Sequence, residues 1–125
     1  MEANLYNGLT LAYIGDAIYE VYVRKHILGL GFTKVNELHK KVTSYTNALA
    51  QAEMIHYCLE QNILTETELN IFKRGRNSHV HTKRKNVDLA DYLDATGFEA
   101  VLGYLYLQND ILRLEELINI SLNRN

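Results

Sequence analysis

The stretch LAYIGDAIYE, residues 11–20, sets a single central carboxylate, Asp16, in a run that otherwise reads as protein interior. Around it, residues 8–28 carry apolar side chains on every side of a helical wheel, and a helix apolar all round belongs in the middle of a bundle. Asn7 can cap its start, and Gly29 and Gly31 can stop it. A second stretch, DATGFEAVLGYLYL at 94–107, repeats the pattern with Glu99 among small and apolar residues. Glycine inside a helix costs about 1 kcal/mol against alanine, so Gly97 and Gly103 point to close backbone approach by another helix. Two central helices that cross tightly near their acids are the expected heart of the fold.

The rest of the chain extends this all-α reading, because it contains no proline and no alternating polar and apolar run. Thr33 is the expected cap of a second helix to about residue 43, and the TSYTN patch at 43–47 marks a break before a third helix over 46–61. Thr65 and Glu68 form a capping box for a fourth helix reaching about residue 74. The segment GRNSHVHTKRKN, 75–86, has no apolar periodicity and reads as a loop. A fifth helix is expected over 89–108 and a sixth, capped by Asp110, to about 122.

The 125 residues suit one domain spanning 1–125, and 47% hydrophobic with 22% charged residues supports a packed core. One cysteine, Cys58, excludes an internal disulfide framework and fits a small core residue. No basic start leads into an apolar stretch and cleavage site, and the most apolar window, 9–23, is interrupted by Asp16 and Glu20. A cytoplasmic location without membrane contact is therefore expected. Net charge of −2 argues against general affinity for nucleic acid, but its distribution reverses that conclusion. Of thirteen basic residues, six (Lys73, Arg74, Arg76, Lys83, Arg84, Lys85) lie between Lys73 and Lys85 with no acid among them, leaving seven against fifteen acids elsewhere. A mildly acidic body thus presents one basic arm, the asymmetry of a phosphate contact, and Asn77, Ser78 and Thr82 add short donors for phosphate or sugar oxygens.

Isolated carboxylates in an apolar setting must pair with a cationic side chain, stay protonated, reach solvent or hold a cation. Spacing alone leaves these open for Asp16 and Glu99. Were they to hold a cation, oxygen-only ligands would favour Mg²⁺ or Mn²⁺ over zinc. His79 and His81 form a lone HxH without a cysteine partner, a weak zinc signal.

The order of these parts carries a resemblance. LAYIGDAIYE resembles the signature helix of the ribonuclease III family, RGRN (74–77) the start of its RNA-contacting loop, and TGFEAVLGYLYL its second catalytic helix. The match spans nearly the whole chain and is nearest to the Mini-III branch, which lacks a separate double-stranded RNA-binding domain. The resemblance implies a helical endonuclease domain forming a two-fold homodimer that cleaves double-stranded RNA with Mg²⁺, Mn²⁺ being able to substitute. It further implies 5′-phosphate and 3′-hydroxyl products and a role in trimming precursors of large-subunit ribosomal RNA, with any ribosomal-protein helper unknown. By position, Asp16 and Glu99 match the catalytic metal ligands, and Glu20, one turn after Asp16, is a candidate supporting acid. Lys73, Arg74, Arg76, Asn77, Lys83, Arg84 and Lys85 match the RNA-binding arm, and Tyr13 matches the aromatic knob of the dimer interface. Ala12 and Thr96 stand where larger family members carry two further acids. The alternative is a non-catalytic RNA-binding module on the same fold, which retention of both acids disfavours.

Overall fold

The computed structural model describes residues 1–78 and 88–124. After a 3-10 turn at Ala3–Leu5 come six helices: α1 (Gly8–Gly29), α2 (Val35–Thr46), α3 (Ala48–Glu60), α4 (Glu66–Arg76), α5 (Leu89–Leu107) and α6 (Ile111–Asn123). No strand occurs among the described residues, so the fold is all-α. Among the described residues no helix is long and apolar enough to cross a membrane.

Local signals set most of the boundaries. The Asn7 side chain accepts from the Thr10 backbone N–H at 2.8 Å and starts α1, while Gly31, at φ +101°, occupies the left-handed region just beyond its end. Thr65 and Glu68 complete their reciprocal box at the start of α4 with bonds of 3.0 and 3.1 Å. Asp110 caps α6 through the Arg113 N–H.

The α2 region differs from expectation. The helix starts at Val35 rather than at a Thr33 cap, Lys34 provides no side-chain cap, and α2 continues through TSYT to Thr46. Thr43 and Ser44 return their hydroxyls to the carbonyls of His39 and Lys41, at 2.8 and 2.6 Å, so these residues stay helical instead of breaking the chain. The break is one residue, Asn47. It ends α2, donates to the Thr43 carbonyl, and caps α3 by accepting from the Ala50 N–H. Likewise α4 runs two residues past the expected end, because Gly75 packs where a Cβ would lie 2.7 Å from that of Ala100.

Helices α1 and α5 form the centre. Leu11, Tyr19, Val23 and Ile27 of α1 bury against Phe98, Val101 and Leu102 of α5, with Leu114, Leu117 and Ile118 of α6 in the same core. Tyr19 meets Phe98 edge to face at 5.4 Å, and its hydroxyl pairs with Ser121 of α6. The crossing is so close that a Cβ on Gly103 would lie 1.9 Å from the Leu11 carbonyl oxygen. Gly97 serves a different neighbour than α1: its Cβ would strike the Phe72 ring of α4 at 2.6 Å. Cys58 is buried, and desolvation pushes its thiol up to about 11, in keeping with a core role. Asn62 and Asn109, at φ 53° and 62°, turn the chain after α3 and α5.

Candidate active site

The placement of the two acids follows from the α1–α5 crossing. A Cβ on Gly15 would sit 1.8 Å from the backbone oxygen of Glu99, so the chain just before Asp16 lies directly on the chain at Glu99. Asp16 and Glu99 emerge on one side of this contact into a cavity of about 250 Å³, lined also by Thr46, Ala48, Gln51, Tyr92, Ala95 and Thr96. Asp16 is exposed at the mouth, whereas Glu99 is half-buried.

The cavity is electrostatically strained. Burial, and then the hydrogen-bonding and charge of the neighbouring Asp16 carboxyl, push the Glu99 carboxyl up to about 9 from its ordinary 4.5. Gln51 works in the other direction, donating its amide to Glu99 Oε2 at 3.4 Å. The same Nε2 donates to the Thr46 carbonyl at 2.7 Å, while Gln51 Oε1 is buried with no hydrogen-bond partner. No Arg or Lys pairs with either acid among the described residues. An oxygen-only set of two adjacent carboxylates fits a hard divalent cation, whose charge would relieve their repulsion. Among the described residues no cluster of three or more His, Cys, Asp or Glu side chains suits a metal, so these two acids stand alone.

Other expected residues lie elsewhere. Glu20 is one turn beyond Asp16, takes Arg24 as its partner at 2.8 Å and faces the groove between α1 and α2. It does not line the acid cavity. Ala12 and Thr96 are both buried, and the Thr96 hydroxyl returns to the Tyr92 carbonyl at 3.0 Å. Tyr13 is 81% exposed, so it is not a core tyrosine.

At the end of α4, Lys73 and Asn77 are exposed, and Lys73 has no partner among the described residues. Arg74 donates to the backbone oxygens of Asn4, at 3.1 Å, and Tyr6, tying the N-terminal turn to α4. Arg76 meets the buried Asp94 at 2.6 Å, and His56 takes the other Asp94 oxygen at 2.7 Å. Both arginines thus hold α4 in place within the chain. Lys83, Arg84 and Lys85, with His79 and His81, lie outside the described residues.

The residues 9–110 match the model of the ribonuclease III domain family. The chain is 49% identical over 119 residues to a protein named Mini-ribonuclease 3 from Streptococcus pneumoniae, covering 95% of this chain and 93% of that one. It is 52% identical to the Mini-ribonuclease 3 of Enterococcus faecalis, over 90% of this chain and 86% of that one. A crystal structure of a Fusobacterium nucleatum protein superposes with a TM-score of 0.85 at 33% identity, covering 94% of this chain and 93% of that one. With two acids at one helix crossing in an all-α fold, and with relatives matched along almost their whole length, the chain belongs to the ribonuclease III family, in the group of the Mini-ribonucleases 3.

Proposed function

We propose that this endoribonuclease cleaves double-stranded RNA with Mg²⁺, or Mn²⁺ in its place, held by Asp16 and Glu99. The observation that carries this reading is the acid pair itself: two carboxylates brought together in a polar cavity with no cationic side chain paired to them among the described residues. Burial of Glu99 beside Asp16 makes their joint ionisation unfavourable without a positive charge, which is the condition for holding a cation firmly. The chemistry a divalent cation supplies at such a site is Lewis acidity, which makes an attacking water more acidic and offsets charge on the phosphate. Asp16, at the mouth, faces the incoming phosphodiester, and Gln51 fixes the orientation of Glu99 behind it. In-line attack by water at phosphorus, with the P–O3′ bond breaking and the departing 3′-oxygen taking up a proton, leaves a 5′-phosphate and a 3′-hydroxyl, and needs no side-chain nucleophile.

The basic arm supplies the grip. Lys73 and Asn77 stand exposed where α4 ends, and the sequence continues into Lys83, Arg84 and Lys85. Such donors read backbone shape and 2′-hydroxyls across the shallow minor groove of A-form RNA rather than bases. The exposed Tyr13, with Leu9 one turn before it and 42% exposed, gives α1 an apolar strip suited to a two-fold partner copy. A dimer would set two sites against opposite strands of one duplex. The substrate we assign is a duplex in a precursor of large-subunit ribosomal RNA, a reading that rests on similarity to the Mini-ribonucleases 3.

Incubating the protein with a long RNA duplex, with and without Mg²⁺, tests the proposal. Fragments bearing 5′-phosphates in Mg²⁺ alone are expected; binding of the duplex without cleavage would favour the non-catalytic module. Replacing Lys83, Arg84 and Lys85 together by glutamine should weaken duplex binding and flatten its dependence on salt, by about 0.9 in log–log slope for each phosphate no longer neutralised. Single-turnover cleavage at saturating RNA should fall far less, since the arm positions the duplex and not the water. Filter-binding titrations across a salt series check this, and an unchanged slope contradicts the role of the arm.

A further inference from the structure

Gln51 is a polar residue in the buried stripe of α3, where its neighbours on the packed face are Ala52, Met54, Ile55 and Cys58. It is 2% exposed and belongs to the wall of the acid cavity. The Thr46 carbonyl and the Glu99 carboxylate both accept from its Nε2, at 2.7 and 3.4 Å. These two acceptors fix which end of the amide is which, because the reversed amide would set an oxygen against two other oxygens. Oε1 is left buried and unpartnered, the one such side-chain atom among the described residues. A buried amide oxygen without a donor is costly, and an atom kept in that state calls for a reason.

Building on the reading of Asp16 and Glu99 as the cation site, we propose that Gln51 is its third polar group: its amide N–H positions Glu99, and its Oε1 accepts a hydrogen bond from water in the cation's hydration shell. Mg²⁺ gives up its waters reluctantly and is held by one or two carboxylates with several waters retained, and those waters are donors in need of acceptors. Two carboxylates beside a cavity-lining residue whose buried amide oxygen is unsatisfied meet that requirement. Gln51 is thus a positioning residue, acting on the acid and the water shell rather than on the RNA. Outer groups of this kind are worth about 10- to 100-fold in metal affinity.

The test compares Gln51→Met and Gln51→Glu with wild type by calorimetric titration with Mn²⁺ in the absence of RNA. Both variants lose the bond to the Thr46 carbonyl and the N–H on Glu99. They differ in whether an oxygen acceptor remains and also in charge, since glutamate adds a carboxylate that attracts a cation by itself, so the loss in Gln51→Met relative to wild type carries the inference. Gln51→Met is expected to bind Mn²⁺ about 10- to 100-fold more weakly, and Gln51→Glu at least as tightly as wild type. Equal affinities in Gln51→Met and wild type would overturn the inference, as would Gln51→Glu binding as weakly as Gln51→Met. Should Gln51→Met fail to fold, Gln51→Glu against wild type decides alone, and weaker binding overturns it. Wild type that binds no Mn²⁺ would overturn the cation site itself, and this inference with it.

Discussion

Gly15→Ala is expected to destabilise the protein by about 3 kcal/mol or more and to abolish cleavage with it. The added Cβ would fall 1.8 Å from the backbone oxygen of Glu99, and neither atom belongs to a side chain that can swing aside. Helices α1 and α5 would have to separate, and this crossing holds the centre of the core and both acids. A shift of about 1 Å between catalytic groups can cost on the order of 100-fold in rate, so surviving folded protein would still be impaired. Gly29→Ala is the control. A Cβ there meets nothing within 4 Å, and the change should be neutral or stabilising by up to about 1 kcal/mol. Thermal melts and duplex cleavage on both variants check the contrast, and a Gly15→Ala protein that melts and cleaves like wild type would show that the crossing is not tight.

Why the acids are legible in the sequence and their surroundings are not has a physical explanation. Asp16 and Glu99 stand out because a carboxylate in an apolar run is costly wherever the helix packs, so the anomaly is visible before any partner is known. Gly103 is legible for a different local reason, the cost of a glycine inside a helix. Gly15 carries the same signal inside α1, but the backbone that crosses it, Glu99, lies far along the chain and cannot be read locally. Gln51 looks like any polar helix residue until α3 turns that face toward Glu99. Arg76 reads as part of the basic arm because its partner Asp94 comes from another helix, and only packing of α5 on α4 brings them to 2.6 Å. Glu20 shares the helix face of Asp16 by periodicity, but the intervening turn hands it to Arg24 instead of the cavity. The capping box at Thr65 and Glu68 and the caps at Asn7 and Asp110 are readable because they are complete within a few residues.

Glu99→Gln is expected to remove Mg²⁺-dependent cleavage and, at the same time, to stabilise the protein in EDTA at neutral pH. The sign follows from the raised carboxyl of Glu99, at about 9 in the folded chain against an ordinary 4.5. Below pH 4.5 the group is protonated both folded and unfolded and contributes nothing. As pH rises from there toward 9, the folded state keeps a proton that the unfolded state has released, so folding stability falls. Above 9 the whole penalty is present. Glutamine cannot ionise, so the variant escapes this loss, and Asp16→Asn should do so in part by removing the neighbouring charge while leaving Glu99 buried. In a protein of this size about 1 kcal/mol shifts the melting temperature by roughly 3 to 6 °C, so a gain of several degrees at pH 7.5 is expected, shrinking toward zero at pH 4.5. Mg²⁺ should reverse the order by stabilising wild type through binding, an effect that grows with its concentration relative to Kd.

The most direct test of the cation site is therefore a set of thermal melts of wild type and Glu99→Gln at pH 7.5, in EDTA and in saturating Mg²⁺. The variant should melt several degrees above wild type in EDTA, and Mg²⁺ should raise wild type while leaving the variant where it was. A variant that melts well below wild type in EDTA, with Mg²⁺ shifting neither protein, would mean that the Glu99 charge serves the fold and would contradict the cation site.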